Sequence, residues 1–298
     1  MNKQVFTARA REMGEELRRR RAEARLNGEE LRRKLGWPTG KLSYIESGSR
    51  PPSELDVASY LSACGPIQRP DYERLVALAA EPNDGYWLRP NGAGLSEELR
   101  SLIVQESLAS TITAYEPLVV PGLLQCESYA RSLLNWNSPV KPQTVELRVQ
   151  ARLARQGLLH RAQPPHCTFY LQEQALQTVV SDAGVMNEQV LYLMLTGAQP
   201  HCVLRVVPDA AGPFAAWSGG GIRVMDYEKH TPLAYSEGLG FGVFLERPED
   251  VLIYRGLLSR LNKVALSEGE SRAWLAELAS AYDRAEAIPS CPSPSKPG

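Results

Sequence analysis

Three glutamates stand where side chains could meet a small molecule. Glu116, Glu173 and Glu237 fall near the ends of segments expected to be extended, close to Tyr115, Gln125 and Tyr235. Polar groups of this kind among apolar walls make a ligand pocket, and two of the carboxylates could act as acid and base. The alternative is three surface or structurally paired carboxylates, the common situation for glutamate. Two dipeptides, His166-Cys167 and His201-Cys202, contain metal-binding residue types. Neighbouring residues of a strand point to opposite faces, so neither pair offers two ligands to one closed site, and no metal is expected. Gly238-Leu239-Gly240-Phe241-Gly242 lacks the glycine spacing and following helix of a dinucleotide fingerprint. Gly219-Gly220-Gly221 precedes an expected strand and reads as a loop, and no G-x-S-x-G nucleophile elbow occurs. No catalytic residue and no cofactor is assigned.

The elements around these residues form an alternating pattern. Helical periodicity is expected over 97–114, 126–135 and 143–161, with Leu147, Ala151, Ala154 and Leu158 on the inner stripe of the last and Arg148, Arg152 and Arg155 largely outside. Strands are expected at 167–171, 202–207, 222–227, 233–236 and 241–245, with helices at 185–195, 248–265 and 269–284. Strands clustered between helical runs point to an α+β domain around an antiparallel or mixed sheet.

The first eighty residues are different in character. Residues 1–50 hold 13 Lys/Arg and 7 Asp/Glu, a surplus of +6, whereas the remaining 248 residues of the 298 hold 20 and 27, or −7. A basic end on an acidic body suits a domain that docks on a polyanion. Short helices with tight punctuation read out of this segment. The first spans about Thr7–Arg25 with Ala10, Met13 and Leu17 inward. Asn27 caps a second, with Glu30 completing a capping box, and Gly36 ends it. A third runs roughly from Thr39 to Glu46 with Leu42 and Ile45 inward. Ser53 and Asp56 open a fourth, with Leu55, Ala58 and Leu61 inward and Gly65-Pro66 closing it, and a fifth covers about 71–80. Helix, tight turn and amphipathic helix outline a helix-turn-helix. An α-helix fits the major groove of duplex DNA, so the candidate readers are Thr39, Lys41, Ser43 and Tyr44. Arg18, Arg21 and Arg50 are candidates for phosphates, which position a protein without reading sequence.

The run Leu35-Gly36-Trp37-Pro38-Thr39-Gly40-Lys41-Leu42-Ser43-Tyr44-Ile45-Glu46-Ser47-Gly48-Ser49-Arg50-Pro51-Pro52-Ser53 resembles the Xre-type helix-turn-helix of actinobacterial regulators. It departs from that pattern at the start of the recognition helix, where Pro38, Thr39 and Gly40 replace a polar Ser-Gln-Ser run, and at Tyr44, where the family carries arginine. Either readout relies on Thr39, Lys41, Ser43 and thymine-methyl contacts, or DNA binding has weakened. Tyr115-Glu116-Pro117 through Pro121-Gly122-Leu123-Leu124-Gln125, then Tyr129-Ala130-Arg131 and Arg152-Leu153-Ala154-Arg155-Gln156, resemble the C-terminal domain of the WhiJ-like regulators. That resemblance implies a transcription regulator, often beside a small acidic partner protein.

Composition frames these readings. With 43% hydrophobic and 22% charged residues the chain can bury a core, and its length favours two domains at roughly 100–200 residues each. No apolar run approaches a membrane span, the start lacks a secretory signal, and five scattered cysteines suit reduced thiols in a cytoplasmic protein. The expected fold is multidomain: an all-α helix-turn-helix domain over 1–81, a turn-rich linker over 82–96, an α+β effector- or partner-binding domain over 97–286, and a disordered tail over 287–298. The expected function is sequence-specific binding of double-stranded DNA by a homodimer, with the C-terminal domain sensing a small-molecule effector or a protein partner. The alternative is an enzyme or ligand carrier on a repurposed regulator scaffold, using the glutamates named above.

Overall fold

A computed structural model describes residues 7–82, 84–91, 96–136, 142–285 and 291. The chain divides into two compact units, Met1–Trp87 with Glu228–Thr231, and Leu88–Tyr227 with Pro232–Gly298.

In the first unit, five helices follow one another: α1 (Ala8–Glu23), α2 (Gly28–Leu35), α3 (Lys41–Glu46), α4 (Glu54–Cys64) and α5 (Arg69–Ala80). Side-chain caps set their starts. Thr7 accepts from the backbone N–H of Ala10 at 3.1 Å, and both the Asn27–Glu30 and Ser53–Asp56 capping boxes are complete. Gly36, at φ 62°, closes α2 in the left-handed conformation that favours glycine. The third helix is shorter than its periodicity suggests. Pro38, Thr39 and Gly40 form a turn, and α3 begins at Lys41, because glycine at the expected first turn weakens helix formation. Leu42 and Ile45 of α3 join Met13, Leu17, Leu31, Trp37, Val57, Tyr60, Leu61, Leu75 and Leu78 in one apolar core. On α4 the inward face is Val57, Tyr60 and Leu61, and Leu55 is exposed. Leu55 sits in the first turn, where the spacing to Leu61 cannot decide the face.

Backbone contact fixes α3 against α1. A Cβ on Gly14 would lie 2.6 Å from the carbonyl oxygens of Ile45 and Glu46, and one on Gly48 would lie 2.6 Å from the Arg11 nitrogen. Gly48 also holds φ 69°.

The second unit is built on a mixed sheet. Its elements in chain order are β1 (Tyr86–Pro90), α6 (Glu97–Leu108), β2 (Thr111–Glu116), α7 (Glu127–Trp136), α8 (Pro142–Gln156), β3 (His166–Gln172), α9 (Glu173–Gln177), α10 (Ala183–Gly197), β4 (Cys202–Val207), α11 (Phe214–Ser218), β5 (Ile222–Asp226), β6 (Leu233–Gly238), β7 (Phe241–Leu245), α12 (Pro248–Val264) and α13 (Glu268–Arg284). Strand order among the described residues is β1-β7-β6-β5-β2-β3-β4. Strands β2, β3 and β4 run parallel and are joined by helical crossovers, as parallel pairs require; β5, β6 and β7 form an antiparallel meander that joins β2 through β5.

Two elements differ from the sequence reading. The helix expected to reach Ala114 stops at Leu108, and Thr111-Ile112-Thr113 opens β2, where β-branched residues suit a pleated surface. The stretch expected as a linker carries β1, an edge strand whose first two residues, Tyr86 and Trp87, close the first unit, with Trp87 and Arg89 buried and a proline tolerated at its end. The tail expected over 287–298 lies outside the described residues apart from Cys291.

Register divides the sheet into two faces. Tyr115, Ile222, Val224 and Ala234 pack with Val251, Leu257, Leu258 and Leu261 of α12. Glu116, Arg223 and Tyr235 alternate with those residues and point the other way, and Arg223 pairs directly with Tyr235 across β5 and β6. All five cysteines are free. Among the described residues, no helix is long and apolar enough to cross a membrane.

Gly14→Ala tests the α1–α3 contact. Alanine ordinarily stabilises a helix interior by about 1 kcal/mol over glycine, but pressing a methyl onto backbone costs roughly 1–3 kcal/mol. The expected outcome is net destabilisation, seen as faster amide hydrogen exchange in α1 and α3. Gly48→Ala should cost more, since the left-handed conformation adds about 1–2 kcal/mol.

Candidate functional site

The outer surface of α3 carries the first candidate site. Ser43 and Tyr44 are exposed, Tyr44 at 58%, while the next residue, Ile45, is buried. Thr39, in the turn before the helix, and Arg50, just after it, are also exposed. Lys41 turns inward: its Nζ lies 2.6 Å from Asp56 Oδ1 and 4.4 Å from the centre of the Trp37 ring.

Glu46 locks the end of α3. Its carboxylate accepts two hydrogen bonds from Arg21, at 2.8 and 2.9 Å, and one from the Tyr60 hydroxyl at 2.5 Å. The bonded carboxylate holds the Arg21 guanidinium above its ordinary pKa, so it stays charged. Arg21 therefore serves as a brace. Arg18 is half exposed, paired with Glu15 and donating to the Glu46 carbonyl at 2.9 Å. Arg19 and Arg20 pair with Glu16 and Glu23 one turn away. Exposed pairs of this spacing are worth only about 0.3–0.5 kcal/mol, so Arg18 can exchange its partner for a phosphate, whereas Arg21 cannot do so cheaply.

The second candidate site is a cavity of about 310 Å³ within the second unit, between the polar face of the sheet and the helices α6 and α8. Glu116 of β2, Arg223 of β5 and Glu237 of β6 border it from the sheet. Glu98 faces it from α6, and Arg148, Arg152 and Arg155 face it from α8. Apolar wall comes from Leu99, Leu102, Val119, Val120, Leu133 and Leu134. Both Arg152 and Arg155 were expected on the outer face of α8. Instead Leu147 and Ala154 are exposed, and the inward line is Val145, Val149, Arg152 and Gln156. The buried side of this helix meets a polar cavity, so apolar periodicity points the wrong way.

A buried charge network forms the floor. Arg223 donates to Glu106 through one nitrogen and to Glu116 through another, the latter at 3.3 Å. Arg155 reaches the second oxygen of Glu106 at 3.4 Å. Gly221 leaves room for Glu116, whose carboxylate oxygen would lie 2.3 Å from a Cβ there, and Gly122 leaves room for Arg155 in the same way at 2.6 Å. Burial pushes the Glu116 carboxyl up to about 7; Arg223 opposes this and Glu237 adds to it. The direction is physically reasonable, because Glu106 is the closer partner of Arg223 and Glu116 is the surplus carboxylate. Burial likewise raises Glu98, which accepts from the Tyr235 hydroxyl.

Amides hold the cavity wall. Gln125 donates to the Val120 carbonyl at 2.6 Å and accepts from Arg152 at 2.5 Å. Gln156 donates to the Gln125 and Gly122 carbonyls, and Gln189 of α10 bonds both the Leu124 carbonyl and the Cys126 N–H.

Of the residues singled out by sequence, the cavity brings together Glu116, Gln125 and Glu237, with Tyr235 standing behind Glu98. Tyr115 and Glu173 lie elsewhere. Tyr115 faces α12 and donates to Gln172 at 2.7 Å, and Glu173 accepts from the Asp209 N–H at 2.9 Å. Sequence reasoning missed Glu98, Glu106, Arg152, Arg155 and Arg223. The i, i+4 and i, i+8 spacing of Leu102, Glu98 and Glu106 on α6 was the available signal.

The chain thus joins a helical unit with the outline of a helix-turn-helix to a mixed-sheet unit that holds a charged cavity. Residues 12–78 match the family model described as a helix-turn-helix domain. Residues 99–277 match the family described as a domain of unknown function, DUF5753. That match covers more than half of the chain, and the chain belongs to this family. No curated protein and no solved structure matches it.

Glu116 gives the stability of the second unit a pH dependence. Its folded pKa, about 7, exceeds the ordinary carboxyl value, so the folded chain holds this proton more tightly than the unfolded chain. The contribution is greatest below about pH 4, declines as pH rises to about 7, and changes little above that. Glu116→Gln is expected to flatten this slope by up to roughly 3 kcal/mol between about pH 4 and pH 8. Melting temperatures across that range check it; parallel profiles for the two proteins would mean that Glu116 titrates alike in the folded and unfolded chains.

Proposed function

We propose that the chain is a sequence-specific DNA-binding transcriptional regulator of the actinobacterial Xre and WhiJ-like type, acting as a homodimer, whose C-terminal cavity senses a small-molecule effector. A small acidic protein is a further partner of its C-terminal domain. The observation that carries this reading is the two-sided character of α3. Leu42 and Ile45 are buried and Glu46 is braced by Arg21 and Tyr60, while Ser43 and Tyr44 face outward on a helix of six residues. A rigid short helix with solvent-facing polar side chains is what a major groove accepts.

The roles of the basic residues follow from their surroundings. Arg50 is the exposed arginine nearest the outward face, suited to a guanine edge or a phosphate. Arg18 suits a phosphate. Lys41, engaged with Asp56 and Trp37, supports the helix and reads nothing directly. Readout then falls on Thr39, Ser43 and Tyr44, whose ring can pack on a thymine methyl.

Selection of bound duplexes from random oligonucleotides at low salt tests the proposal. The expected result is an enriched operator with two half-sites about 10 base pairs apart or a multiple of that. On that operator, Tyr44→Ala should cost about 1–3 kcal/mol and relax one position. Arg18→Ala should weaken all sequences alike and reduce the salt slope by about 1. An absence of enrichment overturns the DNA-binding reading.

A further inference from the structure

Charge matching inside the cavity is incomplete. Arg223 is met by Glu106 and Glu116. Among the described residues, Arg155, whose side chain is 7% exposed, pairs with a carboxylate only through the far oxygen of Glu106 at 3.4 Å, and its Nε makes no hydrogen bond. Arg152 lies three residues earlier on the same helix. It meets the neutral amide oxygen of Gln125 at 2.5 Å, and no ion pair joins it to a carboxylate among the described residues. Two guanidiniums on one turn of α8 thus share half a carboxylate. Like charges at this spacing repel, and more strongly when withdrawn from water. The acids nearby do not repair the mismatch. Burial drives Glu98 and Glu116 toward their neutral forms, and Glu237 is exposed at the rim. The Arg152 guanidinium is lowered to about 10 by burial and by Arg155, a sign of the same surplus.

We propose that this cavity takes a small amphipathic organic anion, with its carboxylate or phosphate head between Arg152 and Arg155 and its apolar body against Leu102, Val120 and Leu134. The proposal rests on reading the cavity as a ligand site and names the class of ligand. A planar guanidinium donates in a fork that matches two oxygens of such a head. Glu116, when protonated, can donate a further hydrogen bond to it. The volume, about 310 Å³, exceeds what a bare inorganic ion fills and falls at the lower end of small-molecule sites. The apolar wall gives the rest of the molecule a place out of water.

Four probes test this on the full-length chain by calorimetric titration and thermal shift: 3-phenylpropanoate, phenyl phosphate, the neutral 3-phenylpropanamide, and inorganic phosphate. Saturable binding of at least one organic anion is expected, and the two arms identify the head. The amide should not bind, and inorganic phosphate should bind at least tenfold more weakly than the organic anion. Arg152→Gln should weaken the anion roughly ten- to hundredfold, the loss of one charge-assisted contact, with Arg152→Lys in between. In the absence of ligand, Arg152→Gln should melt no lower than wild type, because it removes an unmatched charge; this separates lost binding from lost folding. Equal binding of the amide would overturn the anion class while leaving a ligand site in place. Binding of none of the four, or equal binding to Arg152→Gln, would overturn the proposal. DNA selection decides the regulator reading independently of all these outcomes.

Discussion

A guanidinium taken out of water must be met by a carboxylate or a ring of acceptors, and both units are organised around that requirement. In the first, Arg21 and Glu46 join α1 to the end of α3, and Tyr60 adds α4. In the second, Arg223 ties β5 to α6 through Glu106 and to β2 through Glu116. Removing one member of such a pair leaves a buried charge unmatched, at a cost of about 3–5 kcal/mol. The pairs therefore specify geometry. In the first unit they hold the short helix at one angle to α1, an angle that the close backbone approach at Gly14 and Gly48 also demands. Two independent constraints agree on the same placement, which is how a six-residue helix, too short to be stable alone, becomes rigid.

The same principle sorts the arginines of the basic end. A surplus of positive charge suggests a comb of phosphate contacts, yet every arginine of the run from Arg18 to Arg21 has an intramolecular partner. Those partners differ in depth. Arg20 is held by Glu23, whose side chain is half open to water, so screening makes that pair weak and exchangeable; Arg19 shares Glu23 but also pairs with the nearly buried Glu16 at 2.8 Å. Arg21 is held by a carboxylate almost wholly withdrawn from water. On the proposed reading, net charge is thus retained for long-range steering toward DNA, while the contact surface narrows to the side chains around α3.

Much of the helical unit was legible in the sequence because its signals are local. Asn27 with Glu30, Ser53 with Asp56, and Gly36 each define a helix end by chemistry within four residues. Strands β3 to β7 were legible for a related reason: their apolar residues run between strong turn signals. Where the reading failed, a local signal conflicted with tertiary placement. Asn83-Asp84-Gly85 and Pro90-Asn91 bracket β1 so closely that its five residues look like turn. Helical spacing in 97–108 carried past Ala109-Ser110 into β2. On α8 the apolar stripe through Leu147 and Ala154 predicts an inward face, but the helix buries Gln156 and turns the partly buried Arg152 into the cavity. Apolar periodicity finds a core and is blind to a polar cavity. The glutamates were visible because each lies at or beside the end of a strand; the arginines opposite them were hidden by the rule that charged residues face water.

That failure says something about why the cavity exists. Packed hydrophobic residues of similar volume would be as stable as a buried ion network, or more so, and a half-matched pair such as Arg152 and Arg155 is worse than either. The arrangement also constrains the backbone beside it: a Cβ at Gly122 or Gly221 would lie 2.6 or 2.3 Å from the Arg155 or Glu116 side chain. The wall that carries Arg152 is tied by Gln125 and Gln156 to the segment from Val120 to Gln125, and from there by Gln189 to α10. A change in charge balance at Arg152 therefore bears on a continuous set of amides rather than on one loose side chain. Any molecule that binds the folded state and neutralises this surplus stabilises it by RT ln(1 + [L]/Kd). On the proposed reading, this half-matched network is a place where local sequence rules give way to the needs of a ligand.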